Sequence, residues 1–196
     1  MRKTTIVLLL TAIISLVYFN VSAWQYHTIR VQGKVVYLEL RPVDPISLVQ
    51  GQYMTVDFAL ERLDIDPDLL DSNILQNNPP TDLLAVLKLD ENSVGNFVTL
   101  ISESDLESWM SQHKTDPDIH REPASELPHD YAVIQVGLQS NGLRIKLRQN
   151  SFLFQENTQS RYSSARYGVF HVQKNGRYVL VDLADSSLQS LTPPMK

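Results

Sequence analysis

Beyond residue 30 the chain alternates apolar and polar positions with a period of two, the pattern of strands that bury one face. In Tyr53 to Leu60, Met54, Val56, Phe58 and Leu60 fall on one side and Tyr53, Thr55 and Asp57 on the other. Further strands are predicted over Lys34 to Leu40, Leu83 to Leu89, Phe97 to Ile101, Tyr131 to Leu138, Leu143 to Phe154, Tyr167 to Val172 and Tyr178 to Leu183. Asn141-Gly142 and Asn175-Gly176 join the last four into two hairpins, since type I′ turns need positive φ at both central residues. About eight short strands joined by tight turns predict a mainly β fold, an antiparallel sandwich or partly open barrel. Helix is expected only in short pieces. Asp44-Pro45, Asp66-Pro67 and Asp116-Pro117 each pair an N-capping aspartate with a proline suited to the first helical position. Ser104 to Gln112 and Gln159 to Ala165 read as short helices, and Asp71 to Asp82 and Lys114 to Asp130 as loops.

The first 23 residues break this pattern. Arg2 and Lys3 precede Thr4 to Ala23, a stretch of 20 residues without a charge. As a helix it covers roughly 30 Å, the thickness of a bilayer core. Two readings follow. One is an uncleaved anchor with Trp24 and Tyr26, and with Tyr18 and Phe19, at the interface. The other is a signal peptide cleaved after Ala23, since Val21-Ser22-Ala23 offers small residues for the peptidase. The apolar run exceeds the usual ~7–15-residue signal core, which favours the anchor. The basic residues ahead of the span place the N-terminus inside and residues 24–196, a single domain, outside. The expected location is a bacterial inner membrane, single-pass, with the C-terminal domain in the periplasm.

Composition narrows the chemistry. The chain has no cysteine, which removes disulfides, thiol catalysis and zinc–thiolate sites from an exported protein. The net charge of −5 argues against nucleic acid as a partner. That total hides an asymmetry: Asp57 to Asp130 holds 17 acidic residues against 4 basic, whereas Gly142 to Tyr178 holds 7 basic against 1 acidic. The two halves are either complementary within one domain or expose a docking face.

Catalytic constellations are sparse. There is no Gly-x-Ser-x-Gly elbow, no His-Glu-x-x-His and no glycine-rich phosphate loop. Ser111 and Lys114 have a Ser-x-x-Lys spacing, but at the edge of a charged loop. Asp64, Asp66, Asp68 and Asp71 lack the glycine and terminal glutamate of a calcium loop, and helix capping accounts for them better. Asp116, Asp118, His120 and Glu122 sit around Pro117 in a polar loop, so neither metal nor cofactor is implied. A stronger surface feature is Leu143-Arg144-Ile145-Lys146-Leu147-Arg148. Alternation there turns three leucine or isoleucine side chains inward and Arg144, Lys146 and Arg148 outward in a row. Such a row suits phosphate headgroups, an acidic polymer or an acidic protein face; it also serves as a solvated edge that discourages aggregation.

The most heavily punctuated segment is Arg41-Pro42-Val43-Asp44-Pro45, followed by Leu48 and by Gly51-Gln52-Tyr53-Met54-Thr55-Val56-Asp57-Phe58. Its prolines, capping aspartate and Gly51 specify a strand, a tight turn and a second strand. This order resembles the GDYXXLXY family, whose Pro-Val-Asp-Pro turn precedes a Gly-Asp-Tyr strand. A second patch, Phe152-Leu153-Phe154-Gln155-Glu156 and Ala165-Arg166-Tyr167, matches near the C-terminus. Gln52 stands where the family has aspartate, Val56 where it has leucine and Phe58 where it has tyrosine, and Asn157-Thr158-Gln159 replaces a glycine-rich step. The resemblance implies a membrane anchor, an exported β-rich domain, no established activity and, by analogy, an integral membrane protein partner beside the lipid bilayer. The resulting expectation is a non-catalytic binding domain. Its motif turn comprises Arg41, Pro42, Asp44, Pro45, Gly51, Gln52 and Tyr53, and its binding face Arg144, Lys146, Arg148, Glu156 and Arg166. Two alternatives stand beside it: an envelope hydrolase with a signal-peptidase-like fold and a ligand-binding β-barrel.

Overall fold

The computed structural model describes residues 2–41, 49–50, 53–63, 83–113, 127–139, 144–154 and 158–192. Helix α1, Arg2–Gln32, is 31 residues long and continues without a break through Ala23. Its segment Thr4–Gln32 is long and apolar enough to cross a membrane, and no residue of its most apolar stretch is buried among the described residues. The last turns do touch the domain. Ile29 is buried, and His171 Nδ1 lies 2.6 Å from the Arg30 carbonyl oxygen. Gly33 then donates its N–H to the Ile29 carbonyl at 2.9 Å, and the first strand starts at the next residue. A Cβ on Gly33 would stand 2.5 Å from that carbonyl oxygen and 2.9 Å from the Val172 nitrogen, so only glycine lets α1 end this close to the sheet.

Among the described residues, ten strands form three antiparallel sheets. β1 (Lys34–Glu39), β9 (Tyr167–Val172) and β10 (Tyr178–Ala184) make the first, with β9 central. β2 (Val49–Gln50), β3 (Tyr53–Thr55) and β8 (Ser151–Leu153) make the second. The third has the order β5-β4-β6-β7, from β4 (Leu83–Leu89), β5 (Gly95–Ser102), β6 (Tyr131–Leu138) and β7 (Ile145–Leu147). Isolated bridges, Tyr37 to Val94 and Leu40 to Phe58, tie the sheets at their edges without closing a barrel among the described residues. The arrangement is that of a sandwich.

The main core lies between the sheets and is filled by Val36 and Leu38 of β1, Leu83, Ala85 and Leu87 of β4, Ile134 and Val136 of β6, and Phe170 of β9, with Phe58 against them. The opposite face of the four-stranded sheet carries Leu84, Val86 and Val133, covered by Trp109 and Met110 of helix α2 (Leu106–Gln112). Burial on both faces explains the unbroken apolar run Leu83 to Leu87, which alternation alone does not produce.

Several predicted boundaries shift. The Tyr53 to Leu60 strand ends at Thr55, and Leu60 reaches the core from a short 3-10 turn, Ala59–Arg62. Leu143 to Phe154 divides into β7 and β8, which belong to different sheets. The Asn175-Gly176 hairpin is not type I′. Gly176 alone has positive φ, +79°, while its N–H donates to Gln173 and the Gln173 N–H to Arg177, which is a three-residue loop. The loop is tucked in, because the Gly176 carbonyl accepts the N–H of Gln135 at 2.8 Å and continues the edge of β6 where β7 does not reach.

Candidate functional site

The row predicted on Arg144 to Arg148 sits on β7, at one edge of the four-stranded sheet. Ile145 and Leu147 are each 1% exposed, and Lys146 and Arg148 face solvent; Arg144 is half-buried. The edge is blocked. Glu61, on the 3-10 turn, accepts the Leu147 N–H at 2.8 Å, so a carboxylate occupies a position where another strand would pair. What β7 offers a partner is therefore its side chains.

Beyond β7 the chain turns towards β10. The Arg148 N–H donates to the Tyr178 hydroxyl at 2.8 Å, and Gln149 Oε1 accepts the Leu180 N–H at 2.8 Å. Tyr178 is wedged edge-on against Phe170, centroids 5.4 Å apart. Burial pushes its phenol above the ordinary value of 10.0, opposed by the Arg148 and Gln149 N–H donors and the Arg148 charge. Because the native state holds this proton more tightly than the unfolded chain, stability should fall as pH rises past 10. Lys34 acts with the opposite sign, since its ammonium is held below the ordinary value by burial, partly offset by Asp130. Comparing wild type with Tyr178→Phe isolates the tyrosine. The variant is expected to lose about 1 kcal/mol at neutral pH, from the unpaired Arg148 N–H, and to show a shallower decline in thermal midpoint above pH 10.

Two crevices open beside these groups. One, of about 700 Å³, lies between α1 and the domain and is lined by Tyr18, Ser22 and Gln25 on the helix and by Arg148, Arg177 and Tyr178 opposite. Arg177 crosses its mouth, donating from Nη1 to Gln25 Oε1 at 3.2 Å. The other, of about 620 Å³, lies between the β9–β10 loop and β6. There the Lys34 ammonium donates to the carbonyls of His129 and Tyr131, the latter at 3.1 Å. Sequence reasoning missed Gln25, Arg177 and Lys34. Gln25 and Arg177 stand 152 positions apart, and no local pattern links them.

The other predicted residues are placed unevenly. Arg41 is exposed, its N–H donating to the Asp57 carbonyl at 2.8 Å. The backbone of Tyr53 pairs with Gln50 and Leu153, so the motif strand is the middle of the second sheet. Pro42, Asp44, Pro45, Gly51, Gln52 and Glu156 lie outside the described residues, as do Asp64 to Asp71 and Asp116 to Glu122. Arg166 is exposed beside Ala184, at the end of β9 and β10 opposite Tyr178, so it does not join the β7 row. Of the Ser-x-x-Lys pair, Ser111 Oγ donates to the Glu107 carbonyl of its own helix at 2.8 Å, and Lys114 is outside the described residues. His113 stacks on Trp109 at 4.2 Å, a packing role.

No curated protein and no solved structure matches this chain. Residues 15–183, most of the chain, match the GDYXXLXY protein family, and the chain belongs to that family.

Proposed function

We propose that this GDYXXLXY protein is a membrane-anchored, non-catalytic binding module, held in a bacterial inner membrane with its β-domain on the periplasmic side, where it engages an integral membrane partner. The observation that carries the reading is the continuity of α1 from its apolar stretch into the contacts of Ile29 and Arg30 with the domain. No flexible linker separates span from sheet, so one side of the domain stays at the membrane surface. Arg2 and Lys3 ahead of the span support the orientation. The row of Arg144, Lys146 and Arg148 supplies the charge with which an acidic partner surface would be met. In-cell photocrosslinking tests this. A crosslinker at Lys146 is expected to trap one membrane protein reproducibly, and one at Arg161, exposed on another part of the surface, is expected to trap none. Equal and diffuse labelling from both positions would count against a dedicated face.

A further inference from the structure

We infer that the crevice between α1 and the β-domain is a binding site for the phosphate of an anionic membrane phospholipid. The inference rests on the membrane-anchored reading above and adds a ligand to it. Its first support is depth. Tyr18, Phe19, Trp24 and Tyr26 spread over roughly 12 Å of helix axis at the domain-proximal end of the span, the extent of an interfacial aromatic belt. All four rings are exposed in the protein, and Tyr18, Phe19 and Tyr26 line the crevice. The wall facing them is thereby fixed at headgroup level, not in bulk water.

Charge is the second support. That wall presents Arg148 and Arg177, and no Asp or Glu among the described residues lines the crevice. Guanidinium forks match phosphate oxygens in pairs, and phospholipid headgroups place phosphates at this depth, those of anionic lipids with no cation of their own to offset the charge. Third, the arginines are held in place. The Arg148 backbone is fixed by the Tyr178 hydroxyl, and the Arg177 guanidinium by Gln25 of the helix itself. Ser22, Gln25 and Tyr178 leave further polar groups around a headgroup, while Phe19 provides apolar wall for the start of an acyl chain. A crevice of about 700 Å³ is large enough for one phospholipid headgroup.

The test is native mass spectrometry of the full chain extracted in mild detergent and reconstituted into vesicles of phosphatidylcholine alone or with phosphatidylglycerol. Wild type should retain one phosphatidylglycerol per chain, with retention reduced at least fivefold in Arg148→Gln/Arg177→Gln and unchanged in Lys88→Gln/Arg161→Gln, which alters exposed cations elsewhere. Thermal midpoints of both variants confirm folding, and Arg177→Lys, which keeps the charge but loses the fork, should retain an intermediate share. Equal retention by the Arg148→Gln/Arg177→Gln variant overturns the inference. So does displacement of the lipid by millimolar inorganic phosphate, which would mean a free-anion site. Membrane retention does not depend on these arginines, so failure here leaves the anchored reading standing, and failure of the anchor shows separately as loss of the chain from membranes.

Discussion

Phe58→Ala is expected to destabilise the domain by about 3–5 kcal/mol, a large share of the ~5–15 kcal/mol that holds a domain of this size together. Phe58 is fully buried, and its ring meets Phe170 at a centroid distance of 5.2 Å and an angle of 57°. Its ring edge also sits close over the β9 backbone, since a Cβ on Gly168 would fall 2.7 Å from Phe58 Cε1. The bridge to Leu40 places the same residue where the first and second sheets meet. Truncation therefore opens a cavity whose walls are strand backbone from β9 and the Phe170 ring, neither of which can collapse into it without breaking ladder hydrogen bonds. Gly168→Ala alone should cost about 1–3 kcal/mol by overpacking against the ring. Placed together with Phe58→Ala, its methyl enters vacated space, so the double variant should be markedly less destabilised than the sum of the two. Urea titration of the full chain in detergent, followed by the fluorescence of Trp109 and Trp24, reads all three. A Phe58→Ala loss below about 1 kcal/mol, or strict additivity, would mean that this ring is not the keystone of the sheet junction.

Where the fold was legible, burial explains why. β4, β6 and β9 begin and end where the apolar pattern does, because central strands bury enough of their length for the pattern to be unbroken. The failure at Leu143 to Phe154 is instructive. Ile145 and Leu147 occupy odd positions, Phe152 and Phe154 even ones, and a single strand cannot hold both sets on one face. The change of parity between Leu147 and Phe152 marks the crossing from the third sheet to the second, through Arg148, Gln149 and Asn150. The Tyr53 to Leu60 pattern misled in the other direction, since Met54, Val56, Phe58 and Leu60 keep one parity and are all buried, although the strand stops at Thr55. Alternation reports which residues face the core, and a chain leaving its ladder for a bridge and a 3-10 turn can satisfy it. The family motif gains a physical meaning here: Val56 and Phe58, its two apolar departures, are both core residues. The crevice was not legible. Its members come from the helix, β6, the β7–β8 connection and the β9–β10 loop, and only the three-dimensional path of α1 brings them together.

The second large effect concerns the helix. Leu9→Arg/Ile13→Arg is expected to abolish stable membrane retention, with the full 22.3 kDa chain passing from the carbonate-resistant pellet to the wash. Both residues lie in the apolar part of α1 and make no buried contact with the domain. Each exchange of a central apolar residue for arginine raises the insertion free energy by about 3–4 kcal/mol, and two together exceed what the remaining apolar residues recover. The same substitution at Val31, exposed in the last turn beyond the aromatic belt, should leave retention unchanged, because that turn stands outside the hydrocarbon. The size of the retained species decides between anchor and signal peptide. Cleavage after Ala23 would divide a continuous helix whose remaining turns, through Ile29 and Arg30, are already packed on β9, and would leave a chain of 173 residues in the wash. Detection of that shorter species in place of the full chain would remove the anchor, and with it the reason for Arg148 and Arg177 to stand at headgroup depth.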